Sequence, residues 1–151
     1  MQGFMTRRRF SQALAILGAA AAAPLTVFAR NKEAFQAKGT EAAMQALYGE
    51  RSATASDAFE FSVPDIAEDG SIVPVTVNAE AMEGVKSISL FVDANPNPLS
   101  ARFNFEPGAI PEFKTRIKMG ESSDVHAVVE TADGLYKSTR NVKVTLGGCG
   151  G

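Results

Sequence analysis

The sequence predicts an all-β fold, an immunoglobulin-like antiparallel β-sandwich with a short N-terminal helical segment and a flexible C-terminal arm. Three observations carry that expectation. Across 57–146, apolar and polar residues alternate with period two in short runs separated by Gly, Pro, Asn or Asp. The segment before them is alanine-rich with helical spacing. After them comes Gly147-Gly148-Cys149-Gly150-Gly151, which has nothing to place in a core and the residue type least willing to settle into one conformation. The chain therefore divides into 1–29, a twin-arginine signal peptide; 30–56, a helix and linker; 57–146, the sandwich; and 147–151, the arm.

The leader is read from Arg7-Arg8-Arg9-Phe10 ahead of a short apolar run and five alanines. A basic start, a weak apolar stretch and small residues for cleavage make a signal peptide. Arg7 and Arg8 followed by Phe point to the twin-arginine route, which moves folded proteins. The run is too short for the roughly 20 residues that span a bilayer, so no stable membrane anchor is expected. Cleavage after Ala29 or within the alanine run before Pro24 would place the mature protein in the periplasm.

In 31–49, Asn31 can cap a helix in which Phe35, Ala42, Ala43, Ala46 and Leu47 form a narrow apolar stripe. Gly39-Thr40 can split it, with Thr40 capping the second piece, and 50–56 reads as a polar linker. Strand periodicity then begins. Phe59, Phe61 and Val63 share one face, and Asp69-Gly70 turns the chain into a strand over 72–77. Ile88, Leu90 and Val92 share a face within 85–92, and Leu99, Ala101, Phe103 and Phe105 share the next. Phe113, Thr115, Ile117 and Met119 follow, then Val125, Ala127 and Val129. Asp133-Gly134 is a hairpin signal leading into a final strand over 135–146. Seven short strands at this spacing suit a sandwich.

Composition narrows the function. Hydrophobic residues make up 45% of 151, enough for one domain with a real core. The leader holds three arginines and no acids, so the remainder has 12 basic against 17 acidic residues, a net charge of −5 that opposes nucleic-acid binding. One histidine, His126, and one cysteine cannot close a zinc site within a single chain, so no metal is expected. His126 alternates with Val125 and Ala127 and is placed on the outer face. Asp93-Ala94-Asn95-Pro96-Asn97-Pro98 begins like a calcium loop but has Pro98 where glycine is needed, and reads as a rigid connection. Lys114, Arg116 and Lys118 lie opposite Phe113, Ile117 and Met119; they are either a solvated face that blunts a sheet edge or a docking patch.

Cys149 is the candidate site. Glycines on both sides make it mobile and slim enough to enter a cleft in another protein. No Lys, Arg or His stands near it in sequence to activate the thiol, so activation has to come from a partner's site, which favours a carrier over an enzyme.

The twin-arginine leader, the Asn-Pro-Asn-Pro-Leu turn at 95–99, Thr115-Arg116-Ile117-Lys118-Met119-Gly120-Glu121 and Val144-Thr145-Leu146-Gly147-Gly148-Cys149-Gly150-Gly151 together resemble the SoxY family of periplasmic thiosulfate oxidation. The resemblance implies that Cys149 is the site of covalent sulfur attachment and that Gly147, Gly148, Gly150 and Gly151 form the swinging arm. It implies no cofactor other than the sulfur intermediate on Cys149. It also implies a heterodimer with a SoxZ-like sandwich protein, loading by a c-type cytochrome, and further periplasmic enzymes that hydrolyse and oxidise the bound sulfur. Two other classes remain open on the residues alone: an exported interaction module whose cysteine forms an intermolecular disulfide, and a Gly-Gly thiocarboxylate carrier. Export away from ATP and a sandwich strand count weigh against the latter.

Overall fold

Six consecutive residues of strand β5 (Ser87–Val92) are buried, although only every second one was expected to be. Two layers cover that strand. In the computed structural model, which describes residues 31–146, one sheet packs on a second sheet on one face and under two helices on the other. The helices are α1 (Lys32–Gln36) and α2 (Thr40–Tyr48). The strands are β1 (Ala53–Ala55), β2 (Glu60–Ser62), β3 (Ile66–Asp69), β4 (Val73–Asn78), β5, β6 (Leu99–Asn104), β7 (Glu112–Ile117), β8 (Ser123–Glu130) and β9 (Leu135–Leu146). The larger sheet has the order β1-β9-β8-β5-β6, with β3 also pairing with β9; the smaller is β2-β4-β7.

The core between the sheets is built from the alternating residues. Val73, Val75 and Val77 of β4 and Ile117 of β7 meet Ile88, Leu90 and Val92, Val125, Ala127 and Val129, and Val142. Apart from Ala127 these are branched apolar side chains at period two, most of them β-branched, which suit a half-buried pleated surface. A second cluster joins Ala34, Ala43 and Tyr48 of the helices to Phe91, Leu99, Val128 and Leu135 on the other face of the larger sheet. Polar residues on that face find partners: the Tyr48 hydroxyl donates to Ser89 Oγ at 2.9 Å, and Ser87 Oγ donates to Glu130 at 2.9 Å.

Several expectations are corrected. The stretch 50–56 is not simply linker, because it contains β1, which runs parallel to β9 from Ala53 opposite Leu135. β3 is a further strand inside what read as a turn region, again parallel to β9. The sandwich thus has nine strands among the described residues and two short parallel pairs beside its antiparallel ladders. Ile72 lies just before β4 and is exposed. Ala42 is exposed, whereas Ala34 and Tyr48 carry the helix packing. Asn31 does cap α1, accepting from the Ala34 N–H at 3.0 Å, but Thr40 is no cap. Gly39 at φ +89° occupies that position, and the Thr40 hydroxyl donates to Asp93. A bulge between β5 and β6 turns Leu99 to the helix side, while Ala101 packs toward the core between the sheets.

Candidate functional site

Cys149 and Gly147, Gly148, Gly150 and Gly151 lie outside the described residues, as do Arg7 and Arg8. What is described is the base from which Cys149 extends. β9 has two halves. Its first eight residues pair with β8, from Leu135 opposite Glu130 to Val142 opposite Ser123. Its last four run past the end of β8, and β3 takes over on the opposite edge, with Ile66 opposite Lys143, Ala67 opposite Val144 and Asp69 opposite Leu146.

That overhang is hydrogen-bonded on both sides. The Lys143 N–H donates to Asp65 O at 2.9 Å, Thr145 Oγ1 to Glu68 O at 2.9 Å, and the Gly70 N–H to Leu146 O at 2.7 Å. On the side that β8 has vacated, Ser122 Oγ accepts from the Val144 N–H at 2.8 Å and donates to Val144 O at 3.4 Å, standing in for a strand. The turn after β3 is itself held: Asp69 accepts from the Ser71 N–H at 2.8 Å, and the Met119 N–H donates to Gly70 O at 2.7 Å. Hydrogen bonding from Ser71 keeps the Asp69 carboxyl below the ordinary aspartate range. The strand is thus maintained up to Leu146, a residue 69% exposed, and Cys149 follows three residues later.

Lys114 and Arg116 face outward from β7, in register with Thr76 and Pro74 of β4, and Lys118 is exposed just past the strand end. β7 pairs only with β4 among the described residues, so this row borders an open edge. The alternation in the sequence therefore placed these three side chains on the right face.

His126 departs from its expected place. It does oppose Val125 and Ala127, but that face lies on the helix side, leaving the residue 8% exposed. Its Nδ1 is 2.8 Å from Thr139 Oγ1 and its Nε2 is 2.9 Å from Asp93 Oδ1, the oxygen that also accepts from Thr40. Burial would raise the Asp93 pKa, but the hydrogen bonds from Thr40 and His126 outweigh it and hold the carboxyl below its usual range. The group fastens the first turn of α2 to the sheet. Because His126 pairs with Thr139, seven residues before Leu146, it sits roughly 23 Å along the strand from the arm's base. The three residues from Leu146 to Cys149 span about 11 Å at most, so this group lies outside the thiol's reach.

A second polar group was not foreseen. Glu130 accepts from Arg51 at 2.7 Å, Arg102 at 2.9 Å and Ser87 at 2.9 Å, and Arg102 lies over the Tyr48 ring at 5.4 Å. Its members come from β1's approach, β5, β6 and β8, and no local pattern joins them. Among the described residues no three His, Cys, Asp or Glu side chains gather as a metal-binding set.

A family model described as sulfur oxidation protein SoxY matches residues 44–149. Among solved structures, the chain is similar to the sulfur carrier protein SoxY from Chlorobium limicola f thiosulfatophilum, at 36% identity and a TM-score of 0.63, covering 70% of this chain and 96% of that one. It is also similar in fold to a superoxide reductase (neelaredoxin) from Ignicoccus hospitalis, at 24% identity and a TM-score of 0.50, covering 58% of this chain and 80% of that one. A comparison with curated proteins gave no match.

Proposed function

The chain belongs to the SoxY family of sulfur oxidation proteins, and from that membership we propose that it is a sulfur carrier that holds thiosulfate-derived intermediates on Cys149 and presents them to the enzymes of thiosulfate oxidation. One observation carries this reading: the family match runs from α2 through the sandwich and ends on Cys149 itself. The exposed strand end at Leu146, three residues before the thiol, supports it.

The chemistry proposed for the thiol balances simply. Thiosulfate and the Cys149 thiol join through a new S–S bond, with loss of the thiol proton and two electrons, and a c-type cytochrome accepts those electrons. Water then attacks the terminal sulfonate sulfur, the S–S bond beyond the carrier's sulfane sulfur breaks, and sulfate leaves with two protons while a persulfide anion remains on Cys149. Further enzymes oxidise that sulfur in place. The protein contributes attachment and presentation, and the reacting groups come from its partners. Those partners are a SoxZ-like sandwich protein as heterodimer, the cytochrome and other periplasmic enzymes. Arg7 and Arg8 direct export, which allows a folded heterodimer to cross together.

Mass spectrometry of the purified heterodimer after incubation with thiosulfate and the loading cytochrome tests the reading. Reductant-labile sulfur on the peptide containing Cys149, and none in Cys149→Ser, is expected. Only an intermolecular disulfide at Cys149, or an unmodified thiol, overturns it.

A further inference from the structure

We propose that Asn95 is a positioning residue for the thiol: through the loop 118–122 it sets Ser122 against Val144, and so fixes the point from which the arm swings. This role rests on the carrier reading of Cys149.

Three stretches that carry the family resemblance lie far apart in the chain, at 95–99, 115–121 and 144–151, and two side chains join them. The first is Asn95. Its Nδ2 donates to Lys118 O at 2.7 Å, and its Oδ1 accepts from the Gly120 N–H at 3.0 Å. One carboxamide thereby pairs with the backbone as a neighbouring strand would, where β7 has ended and β8 has not begun. The second is Ser122, two residues on, whose hydroxyl makes both bonds to Val144. Met119 anchors the middle of the loop, since it is buried and its N–H donates to Gly70 O at 2.7 Å. Gly120, which follows, has no side chain to restrict the backbone, and the bond to Asn95 supplies that restriction.

Asn95 is itself held. Pro96 keeps it near extended geometry, and its N–H donates to Val92 O at 3.2 Å. Asp93, two residues earlier, accepts from Thr40 and is 2.9 Å from His126 Nε2, while Asn97 accepts from Lys38 at 2.8 Å. The helix layer thus braces 93–98, and the brace has a consequence at the arm. Without Ser122 in place, 144–146 keep only the edge that β3 holds. Fraying of those three residues would lengthen the leash from about 11 Å to about 21 Å extended. A longer leash dilutes the thiol at a partner's site: effective concentration falls as about the −3/2 power of length, roughly threefold for a doubling.

Amide hydrogen exchange and loading of Cys149 test this together. In the mature protein, Asn95→Ala should speed exchange of the Val144 amide about tenfold, as for a lost hydrogen bond, with 135–140 as in wild type. Ser122→Ala should do the same. The double variant should match either single one, because residues acting through one contact are not additive. In the full heterodimer, Asn95→Ala should lower kcat for loading by the thiosulfate-oxidising cytochrome about threefold and leave KM within about twofold. Reaction of Cys149 with a small thiol reagent should stay unchanged. Unchanged exchange at Val144 in Asn95→Ala, with wild type loading normally, overturns the role of Asn95 alone and assigns the placing of Ser122 to Met119. An additive double variant, or faster exchange with unchanged kcat, also overturns it. Wild type that takes up no sulfur overturns the carrier reading and this role with it.

Discussion

Glu130 ties the approach to β1, β5 and β6 together on the helix side of the larger sheet. It is an acid accepting from two arginines and a serine, with its side chain 15% exposed. Burial alone would raise its pKa; hydrogen bonds from Arg51 and Ser87 and the charges of Arg102 and Arg51 more than offset that, and the carboxyl sits below its usual value. A lowered folded pKa means that the contribution to stability is complete above the unfolded value, about 4.3, and is lost as pH falls through the folded one. Glu130→Gln should therefore destabilise the fold at pH 7, by roughly 1–3 kcal/mol, because Arg102 loses its charged partner. The same variant should lose less stability than wild type between about pH 5 and pH 3. Urea unfolding at both ends of that range checks it, and parallel pH curves for the two proteins would contradict the assignment.

At the scale of the element, β9 ends in an overhang that two unrelated partners hold. Because Leu146 is fixed by β3, the distance that Cys149 can travel is set by Gly147 and Gly148 alone. Deleting both removes about 7 Å of extended chain. The thiol should still react with a small reagent at the wild-type rate. Turnover by the enzymes of the pathway should fall by about a hundredfold or more, since a misplacement of about 1 Å can already cost that much. Wild-type turnover by the shortened arm would show that the enzymes close over the strand end instead of admitting the thiol.

At the scale of the whole molecule, two strand edges on one flank are unpaired among the described residues. β6 ends the larger sheet and β7 ends the smaller, and Phe103 and Phe113 stack between them with centroids 3.9 Å apart. Unpaired edges invite another chain. Co-expression with the SoxZ-like partner should give a stable one-to-one heterodimer in sedimentation experiments, burying about 1,600 Å² in total as a specific interface does. A monodisperse monomer in the presence of that partner would refute the pairing.

Much of this architecture was already legible in the chain. The last strand, the Asp133-Gly134 hairpin before it, the inward row Val125, Ala127 and Val129 and the outward pair Lys114 and Arg116 follow from period-two alternation, which reports directly which residues share a face. The lone cysteine among glycines is equally a property of sequence. Alternation is silent on what covers each face. His126 reads as solvent-facing until two helices are laid over its side of the sheet, and Thr40 reads as a cap until Asp93, 53 residues away, takes its hydroxyl. The short strands β1 and β3 were hidden for a related reason. Each is held to β9 by backbone hydrogen bonds to residues about 80 positions distant, and such bonds leave little trace in side-chain pattern. The identity of the thiol is therefore a matter of local sequence. The fixed strand end that carries it exists only because distant backbone segments meet there.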